Sequence, residues 1–355
     1  MAYYLEDQIK NLIEDGFFSS EHNLKEFITK DGLDLPYGNK VYHIANATLP
    51  FNRTTKDILK EQKIEEYSTA SEPTLIKGQT YLIPTIKIVK ELPAHLLGET
   101  SGVSSMGRLF DHVKAFVDYA GRYEKILPGS KGTIWIEVTP KTFNTKLPEV
   151  LALNNLRIND TTCTKEVESL KEEKVLYDKD QNQLTNQKYF DKNQVIMGIN
   201  LQDNDANGNI GFEARNTDKV VYLKPEHNNW EYFFKPIKPT EKFEFEKGKD
   251  YIFATSEFIR IAEGYLGEMA HSSDEFGNFR AHYAAFFGPL FGDNKGNRAV
   301  MEITAMENHT FVHGQPICKV RFHKTIANLA NGYAGKYNRQ EIATPGKFFD
   351  YKADK

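Results

Sequence analysis

Leu5, Ile9, Leu12 and Ile13 recur at helical spacing, which predicts an amphipathic helix over residues 3–14 that stops at Gly16. A second short helix is expected around residues 21–29. From about residue 36 the texture changes. Short alternating or wholly apolar runs at 40–44, 80–89, 133–138 and 146–158 are separated by Gly, Pro, Asn and Asp, the pattern of many short strands. Residues 110–119 fit a helix or an extended segment equally well. Residues 159–195 are polar with few apolar anchors and read as a connector carrying one charged helix around 165–174. Strand runs return at 195–199, 210–214 and 219–223, followed by Trp230-Glu231-Tyr232-Phe233-Phe234. Aromatics at that density point to a core or an interface rather than a ligand stack.

The strand-rich part repeats itself. Gly78-Gln79-Thr80-Tyr81-Leu82-Ile83 parallels Gly248-Lys249-Asp250-Tyr251-Ile252-Phe253, and Leu97-Gly98-Glu99 parallels Leu266-Gly267-Glu268. Further on, Ile136-Glu137-Val138-Thr139 parallels Met301-Glu302-Ile303-Thr304, and Leu156-Arg157-Ile158 parallels Val320-Arg321-Phe322. The four matches keep one order while their spacing falls smoothly from 170 to 164 residues, as two copies of one β-rich unit would. The expected fold is therefore mainly β, with a few short helices and two tandem units. Their expected limits are 1–160 and 196–355, joined by the polar stretch 161–195.

Composition narrows the function. With 355 residues, 40% of them hydrophobic and 26% charged, the chain can bury a sizeable core. A net charge of only −4 and the lack of a dense Lys/Arg block argue against nucleic acid as a partner. No run approaches the roughly 20 apolar residues that span a bilayer, and Met1–Lys10 lacks a signal-peptide apolar core. A cytoplasmic protein with no membrane partner is the expectation. Cys163 and Cys318 are the only cysteines and lie far apart, which excludes a disulfide framework and a CxxC zinc site.

The candidate chemistry centres on Ser104-Ser105-Met106-Gly107-Arg108. If a short helix starts at the serines, Ser104 and Arg108 share a face, and the free N–H groups of the first turn point the same way, an arrangement that attracts phosphate. Taken alone, the same five residues also fit an N-cap serine followed by a surface arginine. The second copy offers Phe279-Arg280-Ala281-His282-Tyr283-Ala284-Ala285-Phe286-Phe287-Gly288-Pro289, a strand turning at Gly-Pro, with small alanines that let a flat ligand approach the backbone. Glu302 and its repeat counterpart Glu137 alternate with apolar residues on strands. Such a carboxylate either faces solvent or is a functional acid turned inward.

Taken together, these elements resemble the two-domain bacterial deoxycytidine triphosphate deaminases of the dUTPase-like superfamily. In the first half the resemblance lies in Leu92-Pro93 through Ser104-Ser105-Met106-Gly107-Arg108-Leu109 and in the run from Gly132 to Phe143. In the second half it lies in Gly277 to Phe287, Asn297 to Glu302 and Gly314-Gln315. Near the end, Lys336-Tyr337-Asn338-Arg339-Gln340 with Lys347-Phe348-Phe349 is similar to the tail that closes over the nucleotide. The ordered set spans nearly the whole chain.

The resemblance implies two dUTPase-like (β-clip) units and hydrolysis of dCTP to dUTP and ammonia, in a nucleotide site built between units. Such sites lie at unit boundaries, so a homo-oligomer is expected. Glu302 would shuttle protons, with Glu137 as the alternative, and Ser104 and Arg108 would hold the water or the triphosphate. Ser105, Arg280, His282, Tyr283, Ala284, Gln315, Tyr337, Gln340 and Lys347 would bind the nucleotide. Zinc is not expected, because the His/Cys/Cys set and P-C-x-x-C motif of zinc deaminases are missing from the sequence. Mg²⁺ is expected only as the triphosphate's counter-ion. Val103, Gly288, Asn155 and Gly346 depart from the family pattern at a basic residue, an aspartate, a glutamine and a serine. These departures keep open an alternative, a nucleotide-binding regulatory or sequestering relative with reduced catalysis.

Overall fold

The computed structural model describes residues 1–163, 165–270, 275–281, 286–292, 296–328 and 341–353. Strands hold 42% of the residues, and three α-helices occur among those described. Two compact units are present. The first comprises Met1–Thr164 together with Asp218–Lys224, and the second Lys165–Thr217 with Pro225–Lys355.

In the first unit one sheet is ordered His112–Phe116, Gly132–Thr139, Thr80–Ile88, Lys40–Ile44, Lys63–Ser68, all antiparallel. A second set pairs Leu96–Gly102 and Gly32–Pro36 on either side of Ala152–Asp160. In the second unit the corresponding sheet runs Phe234–Ile237, Gly211–Ala214, Asp250–Ile259, Asn297–Ala305, Phe279–Ala281. There Tyr265–Met269 and Gln194–Gly198 flank Pro316–Thr325.

The internal repeat is visible in the strand register. Glu137 lies opposite Leu82 in the first unit, and Glu302 lies opposite Ile252 in the second. Arg157 lies opposite Glu99, and Arg321 opposite Glu268. Because a slip of one residue turns every side chain to the other face, shared register means that both copies aim the same positions inward. Alternation does the rest along Asn297–Ala305. Ala299, Met301, Ile303 and Ala305 enter the core, while Arg298, Val300 and Glu302 occupy the opposite face.

Several local expectations change. The first helix is shorter than 3–14, running Glu6–Glu14, because Ala2–Tyr3 pairs instead as a strand with Asn159 and Asp160. The expected helix around 21–29 is one 3₁₀ turn, Leu24–Phe27, capped by the Asn23 side chain on the Lys25 N–H. Residues 110–119 settle as a strand, His112–Phe116. The run 146–158 divides into Asn144–Lys146 and Ala152–Asp160, with Pro148, which has no ladder donor, between them. No helix forms around 165–174, where the backbone makes turns. The stretch read as a connector is folded: Leu170, Val175, Leu176 and Phe190 enter the second unit's core. The run 219–223 is a strand, Val220–Tyr222, but it pairs in parallel with Asn144–Lys146 in the first unit.

Candidate active site

Ser104–Gly107 forms a single helical turn, and the Arg108 N–H donates to the Ser104 carbonyl across 3.1 Å. Ser104 and Arg108 thus share one face, as their spacing predicts. The N-cap is Val103 rather than a serine, with extended backbone and no side-chain cap. Four residues align few peptide dipoles, so any hold on an anion here falls to side chains rather than to the helix end expected from sequence. Ser105 and Arg108 are buried, each 3% exposed, and Ser104 is half-buried. The chain leaves the turn through Phe110, which is fully buried with φ at +59°.

Glu137 is also buried. Its Oε2 accepts the Thr48 N–H at 2.9 Å, and the Tyr123 hydroxyl lies 3.1 and 3.0 Å from Oε1 and Oε2. Burial pushes its carboxyl above the usual range, opposed by the Thr48 N–H, the Tyr123 hydroxyl and the charges of Lys114 and Lys141. Lys114 sits opposite Glu137 in the sheet, its ammonium 4.6 Å from the Tyr123 ring centre. This face of the sheet is covered by residues 45–54 and the helix Thr55–Gln62, which sends Ile58 into a small cluster with Ile44, Leu82, Phe116 and Trp135. Thr54 and Asp57 form a reciprocal cap on that helix, and Asp118 Oδ1 accepts both the N–H and the hydroxyl of Thr55 at 2.7 Å.

Glu302 occupies the same register position in the second unit and is 5% exposed. Ile252 lies beside it and Phe212 beside Ile252, on one face of the sheet. Four residues before Glu302 on that face, the Arg298 guanidinium donates to the Thr255 carbonyl at 2.6 Å and to Asp203 Oδ2 at 2.5 Å. It also lies 4.6 Å from the Phe258 ring centre. Beneath it the Gly198 N–H donates to Glu257 at 2.7 Å, and burial raises the Glu257 carboxyl despite that bond.

The other expected nucleotide contacts are scattered. Arg280 is half-buried on the strand Phe279–Ala281, opposite Thr304. Gln315 closes its own hairpin, its Oε1 accepting the Val312 N–H at 3.2 Å. The Lys347 carbonyl accepts the Glu226 N–H, and its ammonium lies 5.3 Å from the Phe348 ring centre. His282, Tyr283, Ala284, Tyr337 and Gln340 lie outside the described residues.

Sequence reasoning missed Thr48, Tyr123 and Asp111, whose partners are far away along the chain. It also missed what the aromatic run 230–234 does. Phe349 packs on Phe233 and Phe234 at 5.5 and 5.1 Å, while Tyr351 sits edge-on to Phe212 and Trp230 at 5.0 and 5.1 Å. The Tyr351 hydroxyl bonds the buried Asp205 and accepts from Asn209 Nδ2 at 2.9 Å. Burial and Asp205 push that phenol up to about 12. The C-terminal segment is thereby fastened to the sheet face that carries Glu302.

Residues 3–162 match the family model for the N-terminal domain of 2'-deoxycytidine 5'-triphosphate deaminase, and residues 163–348 match the model for its C-terminal domain. The chain belongs to the dCTP deaminase family. The crystal structure of 2'-deoxycytidine 5'-triphosphate deaminase from Agrobacterium tumefaciens is similar to it, with 23% identity and a TM-score of 0.81 over 92% of this chain and 98% of that one. At that identity the likeness concerns the fold, a β-rich dUTPase-like architecture. No curated protein matches the chain. Among the described residues, no helix is long and apolar enough to cross a membrane.

Proposed function

We propose that this deaminase-family chain hydrolyses dCTP to dUTP and ammonia, with Glu302 as the proton-shuttling acid and no metal-bound water. The observation that favours Glu302 over Glu137 is the anchoring of the C-terminal segment, whose family counterpart closes over the nucleotide, on the sheet face that carries Glu302, with Tyr351 packed against Phe212 and Trp230. Glu137 already accepts the Thr48 N–H and lies within hydrogen-bond distance of the Tyr123 hydroxyl, beneath its own chain.

In this reading Glu302 takes a proton from the attacking water as its oxygen bonds C4 of the cytosine. It passes that proton to the ring nitrogen, then takes the proton of the new C4 hydroxyl and delivers it to the exocyclic amine, so that the C4–N bond breaks, the C4 carbonyl forms and ammonia departs. Ser104 and Arg108 hold the water or the triphosphate. Ser105, Arg280, Gln315 and Lys347 bind the nucleotide, joined by His282, Tyr283, Ala284, Tyr337 and Gln340. Mg²⁺ accompanies the triphosphate as a counter-ion. The chain works as a homo-oligomer in the cytoplasm, supplying dUTP for dUMP synthesis.

Incubation with dCTP and Mg²⁺, followed by chromatography for dUTP and an ammonia assay, tests the activity. Glu302→Gln should abolish turnover and retain nucleotide binding. Loss of turnover in Glu137→Gln but not in Glu302→Gln would move the chemistry to the first unit.

One observation favours a second reading. Val103, at the N-cap position of the Ser104–Gly107 turn, has an uncharged side chain where the family pattern has a basic residue. A binding-only relative would show a thermal upshift with pyrimidine deoxynucleotides and release no ammonia.

A further inference from the structure

Asp111 stands three residues after Arg108 and is 5% exposed. Its N–H returns to the Met106 carbonyl at 3.3 Å, which closes the exit of the Ser104–Gly107 turn. Between Arg108 and Asp111 the chain passes through Phe110 in the left-handed region, a conformation that a bulky residue adopts only when its surroundings impose it. Phe110 is fully buried, so the strained residue is held by packing on all sides.

The Asp111 carboxyl ties this turn to two other segments. Its Oδ2 accepts the Thr145 hydroxyl at 3.4 Å, from the strand Asn144–Lys146. The Lys141 backbone N–H, just beyond the strand that carries Glu137, is its other donor. Thr145 is fully buried. The second carboxyl oxygen, Oδ1, is buried and has no hydrogen-bond partner.

A neutral hydroxyl and a neutral peptide cannot compensate a buried negative charge, and burial holds the carboxyl well above its ordinary range. A protonated carboxyl suits the place. An ionised one this near in the chain would compete with an incoming phosphate for Arg108. The group therefore fastens the turn without adding negative charge beside it.

We infer that Asp111 is a positioning residue for Arg108, a pin that ties the exit of the turn to Thr145 and so fixes where the guanidinium meets the nucleotide's phosphates. This rests on the reading of Arg108 as a phosphate contact.

The test compares wild type, Asp111→Asn, Asp111→Leu, Thr145→Val and Arg108→Ala. Dissociation constants for dCTP come from calorimetry, KM and kcat from the ammonia assay, and folding from circular dichroism. Asp111→Asn keeps the shape and neutrality of the pin and should bind dCTP within about twofold of wild type. Asp111→Leu should weaken binding about tenfold and raise KM while kcat holds, since the chemistry is not at this residue. Thr145→Val removes one donor to the pin, should change Kd in the same direction by less, and serves if the leucine variant does not fold.

Wild-type affinity in folded Asp111→Leu and Thr145→Val would overturn the proposal. Equal impairment of Asp111→Asn and Asp111→Leu would do so too, because the charge would then be what matters. Unchanged affinity in Arg108→Ala would instead refute the phosphate-contact reading on which the proposal rests.

Discussion

Thr48 donates its backbone N–H to Glu137 across 2.9 Å, so the first unit's acid is engaged by a loop of its own unit. Glu302 holds the matching register position in the second unit. Replacing Glu137 by Ala removes the acceptor shared by Thr48 and Tyr123. Leaving buried donors unmatched costs about 1–3 kcal/mol, so the melting temperature should fall and proteolysis within residues 45–54 should quicken. Turnover per folded molecule should persist. If turnover vanishes while the fold survives, Glu137 is the acid.

One hydroxyl takes part in the C-terminal fastening, beside ring packing and backbone bonds to Asn228. Tyr351→Phe keeps the ring between Phe212 and Trp230 but takes a donor from Asp205, which is 2% exposed. A loss of about 1–3 kcal/mol is expected, together with faster carboxypeptidase trimming. Unchanged trimming would show that the Phe349 packing and the bonds to Asn228 and Trp230 hold the segment without that hydroxyl.

Gly198 tolerates no side chain. An added Cβ would lie 2.4 Å from the Gly314 carbonyl oxygen and 2.6 Å from its carbon, and backbone cannot swing aside as a flexible side chain can. Gly198→Ala should therefore cost about 1–3 kcal/mol or more by denaturant titration. It should also disturb the Glu257 carboxyl, which accepts the Gly198 N–H.

Stability should depend on pH through Asp111. In the unfolded chain its carboxyl titrates near 3.8, and in the folded protein burial holds the proton to a higher pH. Between those two values the folded state carries the additional proton, so the group's contribution is fully present below the lower value and is lost as pH rises through the upper. Asp111→Asn removes that loss. Its stability relative to wild type should grow as pH rises across the window, measured by urea unfolding at several pH values. A constant difference would mean that Asp111 is ionised throughout.

Much of the fold was legible because the chain's alternation is regular. The strands Lys40–Ile44 and Thr80–Ile88 fall where the apolar runs lie, and the four repeat matches reappear as shared register. The errors share a cause: local pattern cannot register a distant partner. Tyr3 looks helical until Asn159 offers a strand to pair with. Residues 165–174 carry helix-forming charges, yet Leu170 and Val175 gain more by entering the core, so the segment turns instead.

The sequence by itself determined the β class, the duplication and the Ser104–Arg108 face, because periodicity, repeat order and an i, i+4 spacing are properties of neighbours along the chain. Only the tertiary structure decided what surrounds each acid. Glu137 and Glu302 are equivalent in sequence and register, but one meets Thr48, 89 residues away, and the other shares its face with Arg298. Burial and hydrogen bonding from distant segments give a carboxyl its chemistry, and neither is written in the residues beside it.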